Sequence, residues 1–147
     1  MKIQILRTTA ILGLFFMLAI ASVNAQTPSR IEVNIPFDFS AGKATLKAGA
    51  YTIKRTAADV LIIHRVDGKA KALINAPLTA GSRGTRAGEG LVFNKYGDQY
   101  FLSQVWLTVE TGRQLFTSDA EAKAAREYEL AHNNAKPERV EIVMRRQ

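Results

Sequence analysis

Over residues 31–39 the large apolar side chains take every odd position (Ile31, Val33, Ile35, Phe37 and Phe39), with Glu32, Asn34 and Asp38 between them. A period of two places all five on one face of a strand. Pro36 has no N–H to give a ladder, so the strand runs along an edge or bends there. Ser40-Ala41-Gly42-Lys43 breaks the run, and Lys47-Ala48-Gly49 makes a second turn into a short strand over 51–54.

Two hairpins follow. Residues 60–66 are mostly β-branched and apolar, Asp67-Gly68 suits a two-residue turn, and 69–76 returns. That register sets Ile63 against Ala72 and Leu61 against Ile74 on one face, with Ile62 against Leu73 and His64 against Lys71 on the other. The second hairpin runs through 91–96, Gly97-Asp98 and 99–107. Phe93 meets Leu102 on one face while Val92 and Phe101 point to the other, so both faces of this hairpin are covered. Thr111-Gly112-Arg113 reads as one more turn.

Near the end the period changes. Ser118-Asp119-Ala120-Glu121 has the spacing of a capping box. The segment after it, 120–132, is rich in Ala, Glu, Lys and Arg, with Asp119, Lys123 and Glu127 in i, i+4 succession on a solvated face. Ala124, Tyr128 and Ala131 form the other face, and Asn133-Asn134 and Pro137 stop the helix. Alternation then resumes, with Val140, Ile142 and Met144 on one side and Glu141, Val143 and Arg145 on the other. The pattern predicts a mainly β protein: a small antiparallel β-barrel or β-sandwich of about seven strands, one helix at about 118–132 and a closing strand. Alternation alone does not separate barrel from sandwich, since both bury one face of each strand.

The first 25 residues follow a different rule. Lys2 and Arg7 precede an apolar run over 10–21, and Ser22-Val23-Asn24-Ala25 supplies small residues at its exit. This order is read as a secretory signal peptide cleaved after Ala25, with Val23 at −3; Ala19 and Ala21 mark a second site. The run is shorter than the roughly 20 residues that cross a bilayer, so no membrane span is expected in the mature chain. Export to the periplasm or the medium is therefore expected, with residues 26–147 as one β-rich domain.

Composition narrows the chemistry. The 147 residues include no cysteine and two histidines. That excludes a disulfide scaffold, a thiolate metal site and a cysteine nucleophile. The formal charge of +7 becomes +5 once Lys2 and Arg7 leave, with eighteen basic against thirteen acidic residues. Such a charge permits weak attraction to phosphate-rich surfaces and demands no specific nucleic acid.

Candidate sites are few. His64, beside Lys71 on a strand, and His132, at a helix C-terminus, have ordinary structural roles in those places, and no G-x-S-x-G elbow accompanies either. Asp59 with Asp67, or Glu89 with Asp98, are the carboxylate pairs a sheet could bring together. No metal-ligand spacing is present, and no cofactor is expected. In the glycine-rich loop over 81–90, Arg83 and Arg86 are candidate contacts for an anion or partner. Tyr100 and Trp106, on one strand face by simple alternation, are the candidate ligand platform. The terminal Arg145-Arg146 pair is read as a solvated tail.

Ile35-Pro36-Phe37-Asp38-Phe39, the segment Leu46-Lys47-Ala48-Gly49-Ala50-Tyr51, and Tyr96-Gly97-Asp98-Gln99-Tyr100-Phe101-Leu102 with Trp106 resemble a family of short secreted bacterial proteins without an assigned function. The likeness runs over about 31–130. Lys47 stands where that family usually has proline. The resemblance implies export and a single β-rich domain and transfers no catalytic residue. The leading expectation is thus an exported, non-enzymatic envelope or extracellular domain that acts by contact with a protein, polysaccharide or surface polymer. A small-ligand carrier using a barrel interior is the alternative, with a hydrolase of unrecognised site third.

Overall fold

The computed structural model describes residues 30–57, 59–79, 88–108 and 111–144. The segment over 1–25 read above as a signal peptide, Arg83 and Arg86, and the Arg145-Arg146 pair lie outside the described residues.

Two sheets face each other. The smaller has the order β1-β4-β5-β6, with β1 at Arg30–Ile35, β4 at Gly49–Ala57, β5 at Val60–Arg65 and β6 at Lys71–Asn75. The larger is seven-stranded and follows β11-β8-β9-β10-β7. Its members are β7 (Leu78–Thr79), β8 (Gly90–Tyr96), β9 (Gln99–Trp106), β10 (Gly112–Gln114) and β11 (Glu138–Val143). A small hairpin, β2 (Phe39–Ala41) and β3 (Ala44–Leu46), joins it through β2 on β9. Every pairing is antiparallel except the single parallel contact of β2 with β9. The architecture is an open two-sheet sandwich and not a closed barrel.

Alternation explains the packing. In β1 the pattern is strictly exposed then buried, placing Ile31, Val33 and Ile35 inside. Tyr51 and Ile53 of β4, Leu61 and Ile63 of β5, and Ala72 and Ile74 of β6 complete that inner face. Phe39, Leu46, Leu91, Phe93, Leu102 and Val105 meet them from the larger sheet. Phe93 packs edge-on to Phe37 and Phe39, at 5.1 and 5.5 Å between ring centres. Burying side chains of this size contributes roughly 1.5–3 kcal/mol each, and that driving force selects the register.

The first hairpin has the register read from the sequence, with Leu61 opposite Ile74, Ile62 opposite Leu73, Ile63 opposite Ala72 and His64 opposite Lys71. The second turns at Gly97-Asp98 with Phe93 opposite Leu102, as expected. The helix α1 spans Asp119–Ala131, and Ser118 accepts from the Glu121 amide at its N-cap. Asn133 and Asn134 take left-handed φ of 52° and 61° just beyond its end. α1 lies over the outer face of β8 and β9, where Asn94 donates to Glu121 at 2.8 Å and Tyr96 meets Phe101 and Tyr128 edge-on.

Three readings are corrected. The run over 31–39 is two strands, because Pro36 ends β1 at the edge of one sheet and the chain crosses to β2 of the other. Gly42 (φ 60°) turns β2 into β3, so the interruption at 40–43 is a hairpin, and the strands number eleven among the described residues. Gly112 and Arg113 are no turn. They form β10, paired with β9 and with the two-residue β7.

Candidate functional site

The quoted sequence motifs converge, and they converge on structure. Asp38 accepts from Lys47 Nζ at 2.7 Å and from the Ala48 amide at 2.8 Å, which pins the crossover after β1 to the turn before β4. The bond from Lys47 and that amide hold the Asp38 carboxyl below its ordinary value, while Asp38 raises Lys47. Tyr51, wholly buried, donates its hydroxyl to the Lys47 carbonyl at 2.6 Å, and burial pushes the phenol up. Phe37 stacks on Tyr100 with ring centres 3.9 Å apart. These residues tie two sheets at one corner, where a proline at 47 would stiffen the same turn without supplying the Lys47–Asp38 bond.

The platform of Tyr100 and Trp106 does not form. Phe93 pairs with Leu102 but Val92 pairs with Gln104, so Ser103 is the extra residue of a bulge. The bulge flips the alternation. Tyr100 faces inward with Leu102 against Phe37, whereas Trp106 lies on the outer face with Gln104 and Phe101. Trp106 is itself buried and donates to Gln104 Oε1 at 3.2 Å, an atom that also accepts from Arg139 at 2.9 Å.

The proposed carboxylate pairs are apart as well. Asp59 precedes β5 and binds Arg113, whereas Asp67 follows β5 and binds Arg65, each at 3.2 Å. Glu89 and Asp98 stand at opposite ends of β8. His132 is exposed, with Nδ1 2.9 Å from the Tyr128 carbonyl and its ring stacked on Tyr128. Among the described residues no three His, Cys, Asp or Glu side chains gather as a metal site.

What the fold does assemble is a basic face. The outer surface of the smaller sheet carries two cross-strand rows: Arg30, Lys54, Ile62 and Leu73 in one, Glu32, Thr52, His64 and Lys71 in the other. An open groove of about 380 Å³ is lined by Arg30, Thr52, Lys54, Ile62, His64 and Lys71. Arg30 pairs with Glu32. Lys54 and Lys71 have no ion-pair partner among the described residues. Arg30 sits directly opposite Lys54, a like-charge pairing that disfavours the sheet. Arg30, Lys54 and Lys71 against the single carboxylate of Glu32 leave these two rows with a net positive charge.

The charge is therefore sorted rather than spread. Residues 30–75, which include all four strands of the smaller sheet, hold eight Lys or Arg and four Asp or Glu; residues 88–144 hold six and nine. Lys54 and Arg30 were not singled out by sequence reasoning, although the register already placed His64 against Lys71. Extending it one strand to β4 was the missing step, and a nine-residue strand beginning in a turn conceals that pairing.

A second groove, of about 340 Å³, lies past the free edge of β6 between Gly42, Lys43, Leu73, Asn75 and Phe116-Thr117-Ser118-Asp119. Leu73 and Phe116, 66% and 64% exposed, put two large apolar side chains on this one groove.

Fold and surface together define a two-sheet antiparallel sandwich with a filled interior and one open basic face. Compared with protein-family models, curated proteins and solved structures, the chain matches none.

Proposed function

We propose that the chain is an exported, non-enzymatic domain of the bacterial envelope that works by contact, with the outer face of the smaller sheet as its contact surface. The observation that carries this reading is the pair Lys54 and Lys71, without an ion-pair partner among the described residues, on an open groove beside the like-charged Arg30. An anionic partner meets both lysines at once and eases the repulsion between Arg30 and Lys54 that Glu32 offsets only in part. The leader over 1–25 and the resemblance to short secreted bacterial proteins support the location. The carrier alternative needs an interior, and the space between the sheets is filled by Phe39, Tyr51 and Phe93.

The test begins with the chain expressed in a Gram-negative host. Its exported form is expected to start at Gln26 by mass spectrometry and to sediment with washed envelopes. Lys54→Glu with Lys71→Glu releases it, as does molar salt, which shortens the screening length to about 3 Å. Retention of residues 1–25 in the cytosol sinks the proposal, and so does substrate turnover by a protein that envelopes fail to retain.

A further inference from the structure

We infer that the anionic partner is a bilayer surface rich in anionic phospholipid, on which the basic face lies flat. This rests on the contact-surface reading above and adds the apolar half of the same surface. The row Arg30, Lys54, Ile62, Leu73 runs across four strands, about 14 Å at the usual strand spacing. Its cations stand at one end and its aliphatic groups at the other. Lys71 and Leu73 project from the same side of β6, and the groove beyond that edge leads from Leu73 to Phe116. Lys54, Lys71 and Leu73 thus share one sheet face, and Phe116 lines the groove at its edge with Leu73.

A soluble polyanion satisfies the lysines and leaves Leu73 and Phe116 in water. A lipid interface satisfies both sets. Phosphates meet the ammonium groups, the lysine stems rest along the headgroups, and Leu73 and Phe116 enter the boundary with the acyl chains. Charge complementarity chooses anionic over zwitterionic lipid, and the exposed apolar pair chooses lipid over polymer. The absence of a long apolar helix among the described residues is compatible with peripheral seating.

The experiment is flotation of the exported protein with vesicles of phosphatidylglycerol and phosphatidylcholine in equal parts, beside vesicles of phosphatidylcholine alone. The expected result is binding to the mixed vesicles only. Lys54→Gln with Lys71→Gln weakens it roughly thirtyfold, at about 1 kcal/mol for each cation near the surface. Leu73→Ser with Phe116→Ser weakens it too, while leaving retention on soluble polyphosphate unchanged. All four side chains are exposed, so the variants keep the parent's melting transition. Polyphosphate binding as tight as vesicle binding, indifferent to Leu73 and Phe116, overturns the lipid assignment in favour of a polymer. If envelopes retain the protein through Lys54 and Lys71 but no vesicle floats it, the lipid assignment falls and the contact surface stands. Failure in both assays removes both.

Discussion

Individual residues in this protein are constrained most tightly where a large ring meets bare backbone. A Cβ placed on Gly112 falls 2.7–2.8 Å from three ring carbons of Trp106, its direct partner across β9 and β10. The indole is buried and held through its N–H, so it has little room to retreat. Gly112→Ala is expected to lower stability by about 1–3 kcal/mol, the usual cost of overpacking. Trp106 is the only tryptophan, so its fluorescence reports the denaturant transition of Gly112→Ala, and far-ultraviolet circular dichroism follows the variants that lack the indole. Combining the change with Trp106→Leu removes the collision, and the two costs then sum to more than the double variant shows. Strict additivity would mean that Gly112 matters for backbone freedom instead. Gly49 shows the same logic more mildly: its φ is 154°, and an added Cβ meets the Arg65 guanidinium at 3.1 Å. Both glycines stand in the chain for steric reasons that composition does not reveal.

At the scale of an element, the helix carries a charge its surroundings do not favour. Glu121 is 5% exposed, faces Asn94 of β8, and is raised by burial, with the Asn94 bond opposing. Its folded value lies above its unfolded value, so its contribution is fully present below the unfolded value and is lost as pH rises through the folded one. At neutral pH the ionised group therefore weakens the domain. Glu121→Gln keeps an oxygen for Asn94 and removes the charge. It is expected to raise the melting temperature at pH 7 and to lose that advantage in acid. A variant less stable than the parent at neutral pH would show that the carboxylate is needed as an acceptor. The capping-box spacing correctly located this helix start, but the Glu121 side chain serves Asn94. That contact joins residues 27 positions apart, which local spacing does not encode. The hairpin registers were legible because Asp67-Gly68 and Gly97-Asp98 fix them locally. The bulge at Ser103 was not, because Phe101-Leu102 and Val105-Trp106 put apolar groups on both faces of β9, leaving no alternation to betray a ladder that slips by one. One unseen residue thus moved the candidate platform to two faces. The basic face, by contrast, was half visible from the His64–Lys71 pairing. The other half needed the order of strands, which alternation leaves open.

For the molecule as a whole, the question is what fixes one sheet over the other beyond apolar contact. Arg113 of β10 is buried on the inner side, donating to the Ala76 carbonyl at 3.0 Å and to Asp59 at 3.2 Å. Ala76 follows β6 and Asp59 precedes β5, so a cation from the larger sheet grips one end of the smaller sheet. The two partners are unequally placed: the Arg113 side chain is 7% exposed and that of Asp59 is 55%. Removing Asp59 strands a buried guanidinium, whereas removing Arg113 frees a carboxylate that water can reach. Asp59→Ala is therefore expected to cost about 2 kcal/mol, below the ~3–5 kcal/mol of a fully buried pair because solvent screens the carboxylate. Arg113→Met, which fills similar volume with apolar atoms, is expected to cost less, its main loss being the bond to Ala76. Urea denaturation of the two single variants and the double decides the matter. Once Arg113 is Met, losing Asp59 costs almost nothing further if the charge pair is what couples them. If Arg113→Met proves the more damaging single change, the sheets are held at this end by the carbonyl bond, and the ion pair is incidental to it. Because this grip sits on the inner side and the basic face lies on the outer one, neither variant should alter the envelope retention proposed above, which separates the architecture of the domain from its proposed contact surface.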